Sequence, residues 1–128
     1  MTIRVNQLTE ELSSILADYA ADVTTAVNQA AKETAKETAE KLKQASPKRT
    51  GKYAKDWKYK RTTMPGVNGP VWVVYNDKHY RLTHLLEKGH AKRGGGRTPA
   101  IKHIEPVSDQ AAEAFEQRAL EAIGRVSG

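Results

Sequence analysis

Residues 80–100 read YRLTHLLEKGHAKRGGGRTPA, a short amphipathic segment that runs into a basic, glycine-rich loop. The three leucines of this segment recur at helical spacing, so one face of a short helix can press onto a core. Gly89 can adopt a positive φ without steric cost, which suits the residue just after a helix. The cations of the loop are Lys92, Arg93, Arg97 and Lys102. Because the loop has little to bury, we expect residues 91–98 to be flexible or to be ordered by a partner.

Charge is distributed unevenly along the 128 residues, whose net charge is +6. Residues 1–40 carry 3 basic and 7 acidic side chains, a net of −4; residues 41–103 carry 16 and 3, a net of +13; residues 104–128 carry 2 and 5, a net of −3. Such a basic middle favours an anionic partner, either nucleic acid or an acidic protein surface. The alternative is that the acidic ends neutralise the middle within one chain.

The composition limits the class of protein. A chain of this length suits a single domain, and the absence of cysteine excludes disulfides and thiolate metal sites. No stretch approaches the roughly 18 consecutive apolar residues of a membrane span, and the first residues lack a signal-peptide pattern. We therefore expect a protein that is soluble and intracellular when it is synthesised.

A long N-terminal helix is predicted from about residue 6 to about residue 44. Apolar side chains recur at steps of three to five residues from Leu8 to Leu42 and form one helical stripe. At 1.5 Å per residue this helix would be about 57 Å long, more than the width of a domain of this size. Either it breaks near residues 20–25, or its far half packs against another chain. The stripe changes from Leu and Ile to Ala and Thr, which fits close helix contacts in an oligomer or a partly solvated helix.

The predicted fold is α+β in one domain. After the first helix, Thr50 and Gly51 are expected to form the turn that sets up a hairpin, with strands over 57–63 and 71–76. A third, edge strand is predicted over 98–104, and Ser108 is the expected N-cap of a C-terminal helix. The architecture is thus a long N-terminal helix, a small antiparallel sheet, a short middle helix and a C-terminal helix. Its segments are a helical arm over 1–45, a basic β-rich middle over 46–105 and the last helix over 106–128.

A second basic cluster lies just after the first helix. Lys48 and Arg49 stand with two further lysines next to the aromatic residues Tyr53 and Trp57. Basic residues interleaved with aromatic ones can bind single-stranded nucleic acid by charge and stacking. The alternative is that the aromatic rings anchor this segment to the core.

Motifs for catalysis or metal binding are not apparent. The four histidines lack the spacing of known zinc motifs, and the triple glycine lacks the Gly-Lys-Ser/Thr ending of a phosphate-binding loop, so no metal and no cofactor is expected. His84, Glu87 and His90 could in principle act as acid–base groups of a small nuclease. Glu87 is the one acidic residue between Asp77 and Glu105, and a carboxylate among cations should stay ionised and form an ion pair.

Three motifs and their order resemble the tail-completion, or head–tail joining, family of long-tailed bacteriophages. The motifs are Ser46-Pro-x-x-Thr50-Gly51, then Tyr80…His84-Leu85-Leu86-Glu87-x-Gly89-His90, and then Arg97-x-Pro99-Ala100-x-x-His103-Ile104-x-Pro106. The resemblance covers roughly residues 40–125. It implies a small α+β protein that forms a ring, most simply a hexamer, in the neck of the virion. It further implies synthesis in the host cytoplasm and contacts with the tail terminator and tail tube on one side and the head connector on the other.

The leading hypothesis is therefore a structural assembly protein that is not an enzyme. The residues expected to contact a partner or packaged DNA are Lys92, Arg93, Arg97, Lys48 and Arg49. Thr50, Gly51 and Gly89 are expected to be structural turn residues, and Glu87 an ion-pair residue. The alternative is a stand-alone basic nucleic-acid-binding protein, whose affinity for duplex DNA would fall steeply with salt.

Overall fold

The computed structural model describes residues 5–48, 51–66 and 71–127, with side chains from residue 12 to residue 126 within these ranges. The elements, in chain order, are α1 (Val5–Ala45), α2 (Lys52–Lys55), β1 (Trp57–Thr62), β2 (Val71–Asn76), α3 (Leu82–Lys88) and α4 (Ile104–Ser127). The predicted α+β architecture is confirmed, with its long first helix, antiparallel hairpin, short middle helix and final helix.

The first helix is continuous over 41 residues, which at 1.5 Å per residue makes it about 61 Å long. The expected break near residues 20–25 does not occur. The second half of the helix packs against α4 and the sheet of the same chain. The other alternative, that part of the helix packs against another chain, stays a prediction. Residues 12–22, in the first half, are all exposed.

The two strands pair antiparallel, with Trp57 opposite Asn76 at one end and Thr62 opposite Val71 at the other. The predicted third strand over 98–104 does not form, and in the described chain the sheet has two strands. The backbone N–H groups of this stretch bind elsewhere: Thr98 N donates to His90 O at 2.8 Å. Pro99 has no N–H to offer a strand, which further disfavours ladder pairing.

The core lies where the second half of α1 meets α2, the start of β1 and the beginning of α4. A cluster of large side chains fills it, with Val74, Leu86 and Ile104 packed around it. The buried members of this cluster are Leu42, Tyr53, Trp57 and Val107. Along the rest of α1 the buried side chains are small, which allows α4 to approach its backbone closely.

The last helix begins at Ile104, four residues before the predicted N-cap Ser108. Pro106 falls in its first turn, where a missing N–H costs nothing because the first N–H groups of a helix have no partner within the helix. The carboxylate of Glu87 on α3 caps the start of this helix, which was the role expected of Ser108.

Candidate partner interface

The basic loop after α3 is closed on itself by backbone hydrogen bonds. Gly89 ends α3 with φ 71° and ψ 171°, a conformation that suits glycine. Beyond it Ala91 bridges to Arg97, and Lys92 N donates to Gly96 O at 2.9 Å. The loop thus forms a small hairpin-like projection with its cationic side chains exposed. The expectation that it is flexible stays a prediction.

The cations of this projection have few acceptors on their own chain. Arg97 Nη2 donates to Gly89 O at 3.4 Å, a long hydrogen bond. Among the described residues, neither Lys92 nor Arg93 belongs to an ion pair. The guanidinium and ammonium groups therefore remain available to an anionic partner.

Much of the basic middle, residues 41–103, likewise has few carboxylate partners on the described part of its own chain. The ion pairs between its lysines and carboxylates in the described chain are Lys41–Glu37, Lys43–Glu40, Lys58–Asp77 and Lys102–Glu105. The acidic side chains of α4 beyond Glu105 form no ion pair within these described ranges. Ion pairs between the middle and the acidic ends of the described chain thus occur at the C-terminal half of α1 and at the start of α4.

The second predicted basic cluster is described only in part. Lys48 is exposed, whereas Arg49 and Thr50 lie outside the described residues. Gly51 adopts the left-handed conformation, with φ 79° and ψ −10°, directly before α2. Tyr53 and Trp57 are buried and meet edge to face, with ring centroids 5.7 Å apart. The rings therefore anchor this segment to the core, as the alternative interpretation had it, and are not available for stacking with bases.

The carboxylate of Glu87 binds the first backbone N–H groups of α4. Its Oε1 accepts hydrogen bonds from His103 N at 2.8 Å and Ile104 N at 2.9 Å, and its Oε2 accepts from Glu105 N at 2.9 Å. A negative charge at this position also interacts favourably with the positive end of the helix dipole. Glu87 is therefore an N-terminal cap supplied by a different helix, which fixes α3 to α4.

The surroundings of Glu87 keep it ionised. Burial alone would raise the pKa of this carboxyl, but the N–H groups of His103, Ile104 and Glu105, together with the charge of His103 when its imidazole is protonated, outweigh burial and hold the pKa below its ordinary value. The nitrogen at ion-pair distance is Nδ1 of His103, 3.1 Å from Oε1, and it is charged only when the imidazole is protonated. The expected ion pair of Glu87 therefore stays a prediction, with this histidine as its partner.

His103 is the most deeply buried large side chain of the described residues, at 1% exposure. Its Nδ1 lies 2.8 Å from Ile101 O, and since a carbonyl oxygen only accepts, Nδ1 carries a proton. In the neutral ring Nε2 then accepts from the hydroxyl of Tyr53 at 2.7 Å. Burial, with the nearby charge of Glu87, raises the pKa of Tyr53 to about 12. This network joins α2, α3 and α4 and leaves no described buried side-chain polar atom without a partner.

The three residues considered for nuclease chemistry have other partners. The oxygens of Glu87 are taken by backbone N–H groups, and His90 Nδ1 lies 3.0 Å from the hydroxyl of Thr98. His84 is exposed on α3. In the part of the chain that the structure describes, no group of three His, Cys, Asp or Glu residues is placed to hold a metal ion.

Sequence reasoning missed the contacts that hold α1 to its neighbours. Arg118 of α4 donates to Thr34 Oγ1 at 3.1 Å and forms an ion pair with Glu37. Trp72 of β2 donates from Nε1 to Asn28 Oδ1 at 2.8 Å. Such partners lie more than 40 residues apart, so no local spacing could have identified them. The signal available was weak: Arg118 is one of two arginines among the acidic residues of the last helix.

The fold is a small α+β domain with an exposed basic loop and a helix that extends beyond its core. Comparison with protein-family models gives the family. Residues 6–89, which are 84 of the 128 residues, match the HK97-gp10-like model, described as "Bacteriophage HK97-gp10, putative tail-component". The chain belongs to this family of phage tail components, and the sequence-based assignment to a phage tail family is confirmed.

Neither the search of curated proteins nor the search of solved structures found a match. Among the described helices, none combines the length and apolar character that crossing a bilayer requires. As a component of the phage tail, the chain is a virion protein.

Proposed function

We propose that this chain is the tail-completion subunit of the phage neck, a ring that joins the tail to the head connector. The observation that carries the proposal is the basic middle, most of whose described cations have no carboxylate partner within the protomer. A subunit between two other assemblies needs such unmatched surface, because complementary charge both steers association and fixes orientation. Membership in a family of tail components supports the same role.

Within this role, the projection formed by residues 91–98 contacts a partner. Its exposed cations Lys92, Arg93 and Arg97 suit either the acidic surface of a connector or tail protein or the phosphates of DNA that passes through the ring. Lys48 and Arg49 are proposed to contact the same class of anionic partner. The ring is a homo-oligomer, and six subunits is the number that the family resemblance implies.

Genetic complementation tests the proposal. A phage that lacks this chain should accumulate DNA-filled heads and separate tails, and purified wild-type protein should join them in a lysate. The variant Arg93→Glu/Arg97→Glu should fail to join them, whereas Arg125→Glu, which changes an exposed charge on α4, should join them normally. Defects in tail length or in DNA packaging, with intact joining, would contradict a neck role.

A second function has a specific observation in its favour. The net charge of +13 over residues 41–103 also suits a stand-alone nucleic-acid-binding protein. Binding of duplex DNA by the purified chain, measured at several salt concentrations, separates the two. Tight, steeply salt-dependent binding together with no affinity for tails would favour the second function.

A further inference from the structure

The first half of α1 extends beyond the rest of the fold. The helices α1 and α4 run antiparallel, since Leu42 packs with Val107 while Thr34 and Glu37 bind Arg118. With the same rise per residue in both helices, the end of α4 at residue 127 lies level with about residues 22–25 of α1. The preceding residues of α1 have no α4 beside them, in agreement with the exposure of residues 12–22. We call residues 12–22 the α1 arm.

The α1 arm carries a large apolar stripe with an acidic edge. Its exposed apolar side chains are Leu12, Ile15, Leu16 and Tyr19, which are between 42% and 64% exposed. Steps of three and four residues place them on one face of the helix. Asp18 and Asp22 each follow a member of the stripe by three residues and so line one edge of it. Neither aspartate takes part in an ion pair within the described chain.

A second exposed apolar surface has the opposite charge around it. We call it the α3 patch, and its members, between 39% and 56% exposed, are Tyr80, Leu82, Leu85 and Ile101. Ile101 is held beside α3 because its N–H donates to Leu86 O at 2.7 Å. On the helix surface, Arg81 lies one turn before Leu85 and Lys88 one turn after it, and both are exposed. Neither cation has a carboxylate partner among the residues described.

The two surfaces lie at opposite ends of the protomer. Leu86 of α3 packs against the cluster that contains Leu42, whereas the stripe of the α1 arm is centred near Leu16. The 26 residues between positions 16 and 42 span about 39 Å of continuous helix. One copy therefore cannot bring its own arm onto its own patch. A contact between them has to be head to tail, between different surfaces of two copies.

We propose that the α1 arm of one copy docks on the α3 patch of the next copy, with Asp18 and Asp22 facing Arg81 and Lys88. Charge complementarity selects a second copy as the occupant, because an acid-edged apolar helix and a cation-edged apolar patch occur on the same chain. Repeated contacts of this kind close a ring when the rotation between copies permits. The inference deepens the proposed function, since it names the interface that builds the proposed ring.

Cross-linking between single-cysteine variants tests the docking, and the natural chain contains no cysteine that would interfere. Leu16→Cys protein is mixed with Leu85→Cys protein and treated with a short bismaleimide. A covalent heterodimer is the expected product. The matched control is Leu120→Cys on α4, whose leucine is 63% exposed against 64% for Leu16. Three outcomes would each overturn the docking. They are equal yields with Leu16→Cys and with the control, no heterodimer at millimolar protein, and Leu16→Cys protein that couples mainly to itself through paired arms.

The charges give a second, independent measurement. Asp18→Lys/Asp22→Lys in the arm should lower the yield on the order of fivefold, the effect of two exposed ion pairs. Adding Arg81→Glu/Lys88→Glu to the partner chain should restore it, since the charges are then exchanged. All four positions are exposed, so these variants should fold, which circular dichroism can verify. If neither set of substitutions changes the yield of cross-linked heterodimer, the assigned orientation is contradicted.

This test separates the interface from the function that it supports. The cross-link is measured on the purified chain without heads or tails. If the chain joins heads to tails and no cross-link forms, the docking is wrong and the neck role stands. If the cross-link forms and the phage that lacks the chain still joins heads to tails, the interface stands and the neck role is wrong.

Discussion

Removal of the Glu87 carboxylate should destabilise the junction of α3 and α4 more than removal of the exposed carboxylate of Glu105 would. The carboxylate accepts three backbone hydrogen bonds at 2.8 to 2.9 Å from His103, Ile104 and Glu105. Two of these N–H groups belong to positions that are buried or half-buried, so water cannot fully replace the carboxylate. Hydrogen bonds to a charged group contribute about 1.5–3 kcal/mol, and loss of a helix cap alone costs about 0.5–2 kcal/mol.

We therefore expect Glu87→Ala to lower the free energy of unfolding by about 2–3 kcal/mol. Glu87→Gln keeps one carbonyl oxygen for the helix but turns an N–H₂ group toward a backbone N–H, so it should cost about 1–2 kcal/mol. The assay is urea unfolding followed by the fluorescence of the buried Trp57. The matched control is Glu105→Gln, which removes an exposed carboxylate beside the same helix end and its 3.4 Å pair with Lys102. That change should stay within about 0.5 kcal/mol.

The pH dependence has a definite sign. Because the folded-state pKa of Glu87 lies below its ordinary value of 4.5, the carboxylate contributes stability that is present above pH 4.5. This contribution is lost as the pH falls through the folded-state pKa. The stability difference between wild type and Glu87→Gln should thus be constant near neutral pH and shrink in acid. A difference that does not change with pH, or a Glu87→Ala cost no larger than that of Glu105→Gln, would refute the cap.

Three further substitutions test the packing. Tyr53→Phe leaves Nε2 of buried His103 without its hydroxyl donor and should lower the free energy of unfolding in urea by about 1–2 kcal/mol. The pKa of Tyr53 is about 12 against an ordinary 10.0, so the wild type should also lose stability relative to this variant as the pH rises from 10 to 12. Gly89→Ala places a Cβ 2.4 Å from a loop carbonyl oxygen, whereas Gly96 has a similar φ of 77° and open space around it. Gly89→Ala should therefore lower the free energy of unfolding by at least about 2 kcal/mol more than Gly96→Ala. Equal melting temperatures of the two variants would count against this. Arg118→Gln should lower the free energy of unfolding by at most about 1 kcal/mol, because Glu37, the carboxylate partner of Arg118, is partly exposed. If this loss does not shrink in high salt, Arg118 contributes through packing instead of charge.

Local periodicity was sufficient to predict α1, the two strands, α3 and α4, but not the junctions between them. The three- to five-residue spacing of apolar residues predicts α1, and the β-branched run at 71–76 predicts β2. The stretch 98–104 also has the composition of an edge strand. Its N–H groups are instead taken by the loop and by α3, through Thr98 and Ile101, and these partners depend on tertiary structure.

The start of α4 was misplaced for a related reason. Ser108 has the side chain of a good N-cap, and the rule that assigns it considers only neighbours in sequence. The cap that forms comes from Glu87, 16 residues before the first N–H that it binds. The sequence did mark this residue as a lone carboxylate among cations, and Pro106 is typical of a first helical turn. What the sequence lacked was the position of α3, which follows from the packing of Leu86 on the core.

The distribution of side-chain size along α1 argues that its exposed half is kept for contact with another chain. The buried half uses alanine at positions 30, 35 and 39, where small side chains let α4 approach and the area buried per residue is modest. The larger apolar residues Leu12, Ile15 and Leu16 lie in water instead. A helix needed only to support its own domain would have the reverse order, because each large apolar side chain contributes about 1.5–3 kcal/mol only when it is buried. Substituting serine for these three residues should therefore leave the unfolding of the isolated protomer nearly unchanged while it abolishes assembly, and a large loss of monomer stability would show that the arm belongs to the protomer's own core.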